Sequence, residues 1–274
     1  MTPLATDLRS MPGSVVSALR AALSEFVVPV FGVAAMLGLW WMAGLVLTSD
    51  PRFAAFQGFA IERAFASFGD LLVSGDAWRA ARPSLIRVGY GLFWAFVIGA
   101  PIGLALGSSR LLENAVQLPF QILRMVSPLA WMPIAIIAFA SWDGAIVFLI
   151  TAAAIWPILF ATAAGVKRID PVWTAMARNL GGRHLALLKT VIVPAVAQDI
   201  LTGLRLALGV AWVVLVPAEY LGVTSGLGYA INDARDTLSY DRLAALVLLI
   251  GLIGYALDAA IGFALRRAHW VPSI

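Results

Sequence analysis

Apolar residues in this chain fall into long runs, and the polar residues collect between them. A helix needs about 20 mostly apolar residues to cross a bilayer. Six segments meet that length: 26–47, 85–107, 117–140, 144–165, 196–220 and 243–265. The predicted fold class is therefore all-α, a polytopic membrane helical bundle of about six transmembrane helices. Ahead of the first span lie residues 1–25, read as a cytosolic lead-in, because Asp7, Arg9, Arg20 and Glu25 interrupt any continuous apolar core of the signal-peptide kind. Residues 48–84 are half polar, with Phe53, Phe56, Phe59, Phe65 and Phe68 spread among charges. They predict a helix or two lying on the external membrane face. Residues 266–274 form a cytosolic tail.

Punctuation inside the runs adds detail. Gly91, Ala95, Gly99, Gly103 and Gly107 recur every fourth residue of the second span, which places a smooth groove on one helix face for a neighbouring helix. The third span carries Pro119, Pro128 and Pro133. Each removes a backbone hydrogen bond and tends to kink the helix, which a membrane tolerates where neighbours or water satisfy the freed carbonyls. Either packing or a bordering cavity accounts for them.

Composition agrees with the pattern. Hydrophobic residues make up 61% of the 274 and charged residues 12%, about half the charged share of a soluble domain. With no cysteine and two histidines, a disulfide framework is excluded, and so in practice is a thiolate or multi-histidine metal site. The net charge of +4 follows topology and gives no sign of nucleic-acid binding. With the N-terminus inside, the cytosolic segments hold ten Lys and Arg and the external ones six. That bias predicts that both termini are cytosolic.

The longest polar interruption therefore faces the cytosol. Asp170 can cap a following helix, and Pro171 suits its first position, where a missing N–H costs nothing. Trp173, Met176, Ala177 and Leu180 share one face at spacings of three and four. Gly181 and Gly182 end the helix, since glycine reaches the left-handed conformation freely. A second helix starts near Arg183 and enters the membrane with Pro194 at its threshold. The product is a short helix, 171–180, with an apolar face and a basic rim. That face must be covered by the protein's own loops, lipid headgroups or a soluble partner.

This segment resembles the cytoplasmic loop signature of binding-protein-dependent ABC importer permeases: Glu-Ala-Ala, three residues, Gly, nine residues, Ile-x-Leu-Pro. Here Ala175-Met176-Ala177 stand at the first three positions, Gly181 at the glycine, Val191 and Val193 at the aliphatic pair and Pro194 at the proline. The spacing is kept, while the glutamate is replaced by Ala175, which removes a charged contact. The stretches at 127–139, 155–166, 203–212 and 218–229 resemble the nitrate/sulfonate/taurine/bicarbonate branch, and the resemblance spans roughly 80–265. It implies an ABC permease core at 85–265, with 171–180 as the coupling helix seated on a separate ATP-binding subunit. It further implies two such ATPase subunits, a second permease copy in a homodimer, and a periplasmic or lipid-anchored solute-binding protein. The location implied is the bacterial inner membrane. No Gly-x-x-x-x-Gly-Lys-Ser/Thr phosphate loop occurs, so ATP and magnesium are expected on the partner and no cofactor on this chain.

Thr202, Arg205, Gly209, Trp212, Val216 and Glu219 share one face of the fifth span. Ionisable residues in a span usually face a bundle interior or a water-filled cavity, so this face is the candidate pathway wall. The alternatives are a structural cation at Arg205 and an interfacial acid at Glu219. Trp131 and Trp156 join the candidates as bulky residues at cavity-prone places, with core packing as their alternative. By depth, Arg87 pairs with Glu219, Arg205 with Asp258 and Arg124 with Asp199. Gly226 and Gly228 predict a tight turn before a short helix, which the resemblance makes an external gate loop. Besides an importer of a small anion, two other classes fit: an ATPase-independent secondary transporter or channel, and an assembly protein whose capped helix docks another factor. The secondary transporter predicts an inverted repeat and a central ionisable relay, and neither is evident.

Overall fold

A computed structural model describes residues 13–49 and 51–267, and every regular element among them is helical. The chain runs α1 (Gly13–Ser49), a 3-10 turn (Pro51–Phe59), α2 (Ile61–Val73), α3 (Asp76–Ser108), α4 (Arg110–Met125), a 3-10 turn (Pro128–Trp131) and α5 (Met132–Ala138). It continues through α6 (Trp142–Arg168), α7 (Pro171–Asn179), α8 (His184–Leu187), a π turn (Leu188–Ile192), α9 (Val193–Gly222), α10 (Leu227–Asp236) and α11 (Tyr240–Arg267). Among the described residues, five helices are long and apolar enough to span a membrane, and the bent pair α4 and α5 makes a sixth if counted as one span. Residues 1–12 of the expected lead-in and 268–274 of the tail lie outside the described residues. Residues 13–25 continue into α1 without a break.

The core is a slab of α3, α6 and α9 with fully buried Ile146, Leu149, Ile150, Ile158 and Leu215 between them. The four-residue glycine stripe of α3 lies against α6. A Cβ on Gly91 would stand 2.3 Å from Ile150, and one on Gly103 would stand 2.5 Å from the Leu159 carbonyl. The stripe thus serves close helix approach. α11 closes a second core, with Leu71 of α2 and Leu227 of α10 packed beside Leu246 and Leu249. α1 stands apart, exposing Val28, Phe31, Leu39 and Met42, while its Trp40 indole N–H donates to the Phe59 carbonyl at 2.9 Å.

Two elements differ from the sequence reading. The expected third span is broken, with an 87° bend between α4 and the segment from Pro128 to Ala138. Pro119 stays inside α4 and Pro133 inside the first turn of α5, whereas Pro128 opens the segment beyond the break. The residue before a proline avoids the helical region, and Ser127 accordingly has ψ 129. The segment 48–84 keeps its two surface elements, but its last nine residues belong to α3. Gly75 at φ 77 lets the chain turn, and α3 then begins at Asp76, well before the apolar run. At 33 residues, α3 is about 50 Å long and outreaches the bilayer's hydrocarbon core of about 30 Å.

Candidate translocation and docking sites

One end of the bundle carries α7. Asp170 caps it, accepting from the Val172 N–H at 2.8 Å, and Pro171 occupies its first turn. The helix ends at Asn179, one residue short of the predicted Leu180, which is the C-cap and 86% exposed. Gly181 follows with φ 84 and empty space around it, so its requirement is conformational. Gly182 answers to a different constraint: a Cβ there would meet the Ala177 carbonyl at 2.7 Å. Trp173 and Met176 line an apolar groove with Val191, Pro194 and Ala195 from the start of the next span. The cleft measures about 440 Å³. The π turn just before Pro194 was not legible in the sequence. A proline inside a helix strips its partner carbonyl of a donor, and a wide turn absorbs the disturbance.

The opposite end carries a buried polar cluster. The Arg87 guanidinium donates to Glu219, to the Ser225 carbonyl and hydroxyl at 2.9 Å each, and to Asp143 at 2.8 Å through its Nε. Its side chain is 5% exposed and that of Glu219 0%. The Ser84 hydroxyl lies 2.8 Å from both Glu219 oxygens and from the Leu227 N–H, and the Gly228 N–H donates to Glu219 at 3.0 Å. Gly226 and Gly228 let the loop backbone lie on that carboxylate: a Cβ on Gly226 would stand 2.5 Å from it, and one on Gly228 would stand 2.2 Å from the Val216 carbonyl. The predicted turn before a short helix is therefore present as the seat of α10. Ser84, Asp143 and Ser225 were missed by sequence reasoning. For Asp143 there was a signal, since it is the acid in the first turn of α6, level with Arg87.

The α9 face divides along its length. Arg205 forms a two-pronged ion pair with Asp258 of α11, at 2.7 and 2.5 Å, with both side chains nearly half exposed. Trp212 wedges between the two cores beside Gly254. Val216 is half-buried and Glu219 fully buried. Thr202 and Gly209 are exposed, and the Thr202 hydroxyl donates back to the Gln198 carbonyl. Much of this face thus abuts α11 and α10. Trp131 and Trp156 line a 290 Å³ cavity inside the bend, where Trp156 meets Phe120 edge-on at 5.4 Å.

Two of the three expected ion pairs are present, Arg87 with Glu219 and Arg205 with Asp258. The Arg124–Asp199 pair is not formed. Asp199 pairs with Arg168 at the end of α6, in room left by Gly165, where a Cβ would strike its carboxylate. Arg124 lies instead 5.2 Å over the Phe160 ring.

Apolar spans, a broken helix beside open clefts and a capped helix at one end describe a polytopic helical membrane protein. The chain belongs to the family described as binding-protein-dependent transport system inner membrane component, whose model matches residues 95–269. It is a transport permease subunit and not an enzyme. Similar proteins include the nitrate import permease protein NrtB of Leptolyngbya laminosa, 38% identical over 193 residues, covering 70% of this chain and 69% of that one. The taurine transport system permease protein TauC of Escherichia coli strain K12 is 30% identical, with 86% of each chain covered. The bicarbonate transport system permease protein CmpB of Synechococcus elongatus is 33% identical over 90% of this chain and 91% of its own.

Proposed function

We propose that this chain is the membrane-spanning subunit of an ATP-driven importer for a small anion of the nitrate, sulfonate or bicarbonate kind, working by alternating access in the bacterial inner membrane. The observation that carries the reading is α7, a capped helix held between two spans by a left-handed glycine, with its apolar groove open on one side. Such a groove suits a soluble subunit that hydrolyses ATP and pushes the helix. The relatives that serve nitrate, taurine and bicarbonate import by name suggest the anion class. ATP and magnesium belong to that partner, of which two copies meet two copies of this chain, and a solute-binding protein delivers the anion on the other face. Both termini and α7 are cytosolic in this arrangement. Along α9 the pathway wall falls to Thr202 and Gly209, which stay open, while Arg205, Trp212, Val216 and Glu219 brace it.

The test is reconstitution. The purified chain, mixed with candidate ATP-binding and solute-binding partner proteins, is placed in liposomes. Uptake of labelled nitrate, bicarbonate or taurine should then require ATP. Uptake of any of them without an ATP-binding chain would overturn the reading in favour of a secondary transporter.

A further inference from the structure

We propose that Arg124, at the far end of a polar stripe on α4, is an anion-contact residue for a small oxyanion on its way through the permease. The inference deepens the anion-import reading and rests on it. Arg110, Glu113, Asn114, Gln117, Gln121 and Arg124 recur at spacings of one, three and four, so they share one side of α4. A second side, Leu111, Leu118, Ile122 and Met125, is exposed and wholly apolar. A third, Val116 and Phe120, packs on the protein beside Leu159. A helix that only met lipid and protein would have no use for the polar side.

The stripe starts at the α7 end, where Glu113 pairs with Lys167. It finishes at Arg124, about 21 Å further along the helix, on the rim of a 650 Å³ cavity at the bend. The other residues lining that cavity, among them Trp156, Phe160, Leu206 and Val210, carry no charge. Arg87, Arg168 and Arg205 are each neutralised by a carboxylate. Among the described residues none pairs with Arg124. Its guanidinium faces the Phe160 ring, an arrangement that fixes the plane of the group while its N–H edge stays available. A planar fork of donors matches the oxygens of nitrate, bicarbonate or a sulfonate. Gln117 and Gln121 follow at one-turn steps with neutral donors, which pass an anion along without trapping it.

The absence of cysteine permits a direct test on the assembled transporter. Single variants Gln117→Cys, Gln121→Cys, Leu118→Cys and Ile122→Cys are treated with anionic and cationic methanethiosulfonates of similar size, each rate normalised to that of a free thiol in water. The stripe positions should label and the apolar positions should not. At Gln121→Cys the anionic reagent should be favoured by roughly tenfold, and adding Arg124→Gln should abolish the preference while Arg124→Lys keeps it. A phosphate headgroup on Arg124 would instead favour the cationic reagent, and that result overturns the proposal. So does equal labelling by both reagents, no labelling of the stripe, or a preference that survives Arg124→Gln. The labelling needs no ATP, so its failure is distinguishable from failure of ATP-dependent uptake. In uptake, Arg124→Gln should lower the rate about tenfold or more at unchanged co-purification with the ATPase. An unchanged rate also overturns the proposal.

Discussion

Single residues at the two polar clusters do unequal work. Arg87 is held by two carboxylates and by Ser225, while among the described residues Glu219 has Arg87 as its one charged partner. Removing one member of a buried pair leaves the other uncompensated, at about 3–5 kcal/mol. We therefore expect Arg87→Met to destabilise the protein by about that amount and Glu219→Gln by clearly less, because Asp143 still balances Arg87. Thermal unfolding in detergent measures both, and equal losses would contradict the asymmetry. For Arg205 and Asp258, a double-mutant cycle to alanine should show strong coupling: the double variant should lose less stability than the two single losses added together. Strict additivity in the same assay would mean that the pair does not act as a unit. Both pairings were legible in the sequence because each joins opposite charges at matching depth in neighbouring spans. The Arg124–Asp199 expectation used the same logic and failed, since Arg168 sits closer to Asp199 at a helix end where a long side chain can fold back.

At the scale of elements, glycine carries two separable duties around α7. Gly181→Val forces a branched side chain into the left-handed region, at a cost of about 1–2 kcal/mol, with no clash to relieve since the site is open. The expected outcome is loss of most ATP-dependent transport with the spans intact, and a milder loss for Gly181→Asn, which tolerates that conformation. Uptake read beside helical content by circular dichroism checks it. A Gly181→Val variant with full transport would show that the helix can be re-aimed without consequence. On α3, Gly103→Leu should prevent assembly, because the added atoms meet Thr162 and the backbone of α6. The glycine stripe and the cap of α7 could be read in advance because local sequence dictates them. The break in the third span and the π turn could not, since both follow from how the helices meet their neighbours. Proline alone does not say which of three sites will open, and Pro119 shows one that did not.

At the scale of the whole molecule, the order of helices follows the apolar runs closely, and the ends of the bundle are chemically distinct. Reporter fusions after Ala115 and after Arg183 should read cytosolic, and one near Asp233 external. An external reading at Arg183 would remove the docking role of α7. The two ends also differ in how tightly they are tied. At the α10 end a single arginine ties α3, α6 and the approach to α10 to a buried acid of α9. At the α7 end the helix that enters the membrane has a widened turn and an exposed neighbour. Pinned at Glu219 and yielding near Thr190, this helix is a lever with its fulcrum at the far face. Its arm is about 44 Å long. A tilt of about 5° at the fulcrum would carry the α7 end sideways by roughly 4 Å, so a small stroke at the bundle's tip and a small rotation deep inside it are one and the same motion.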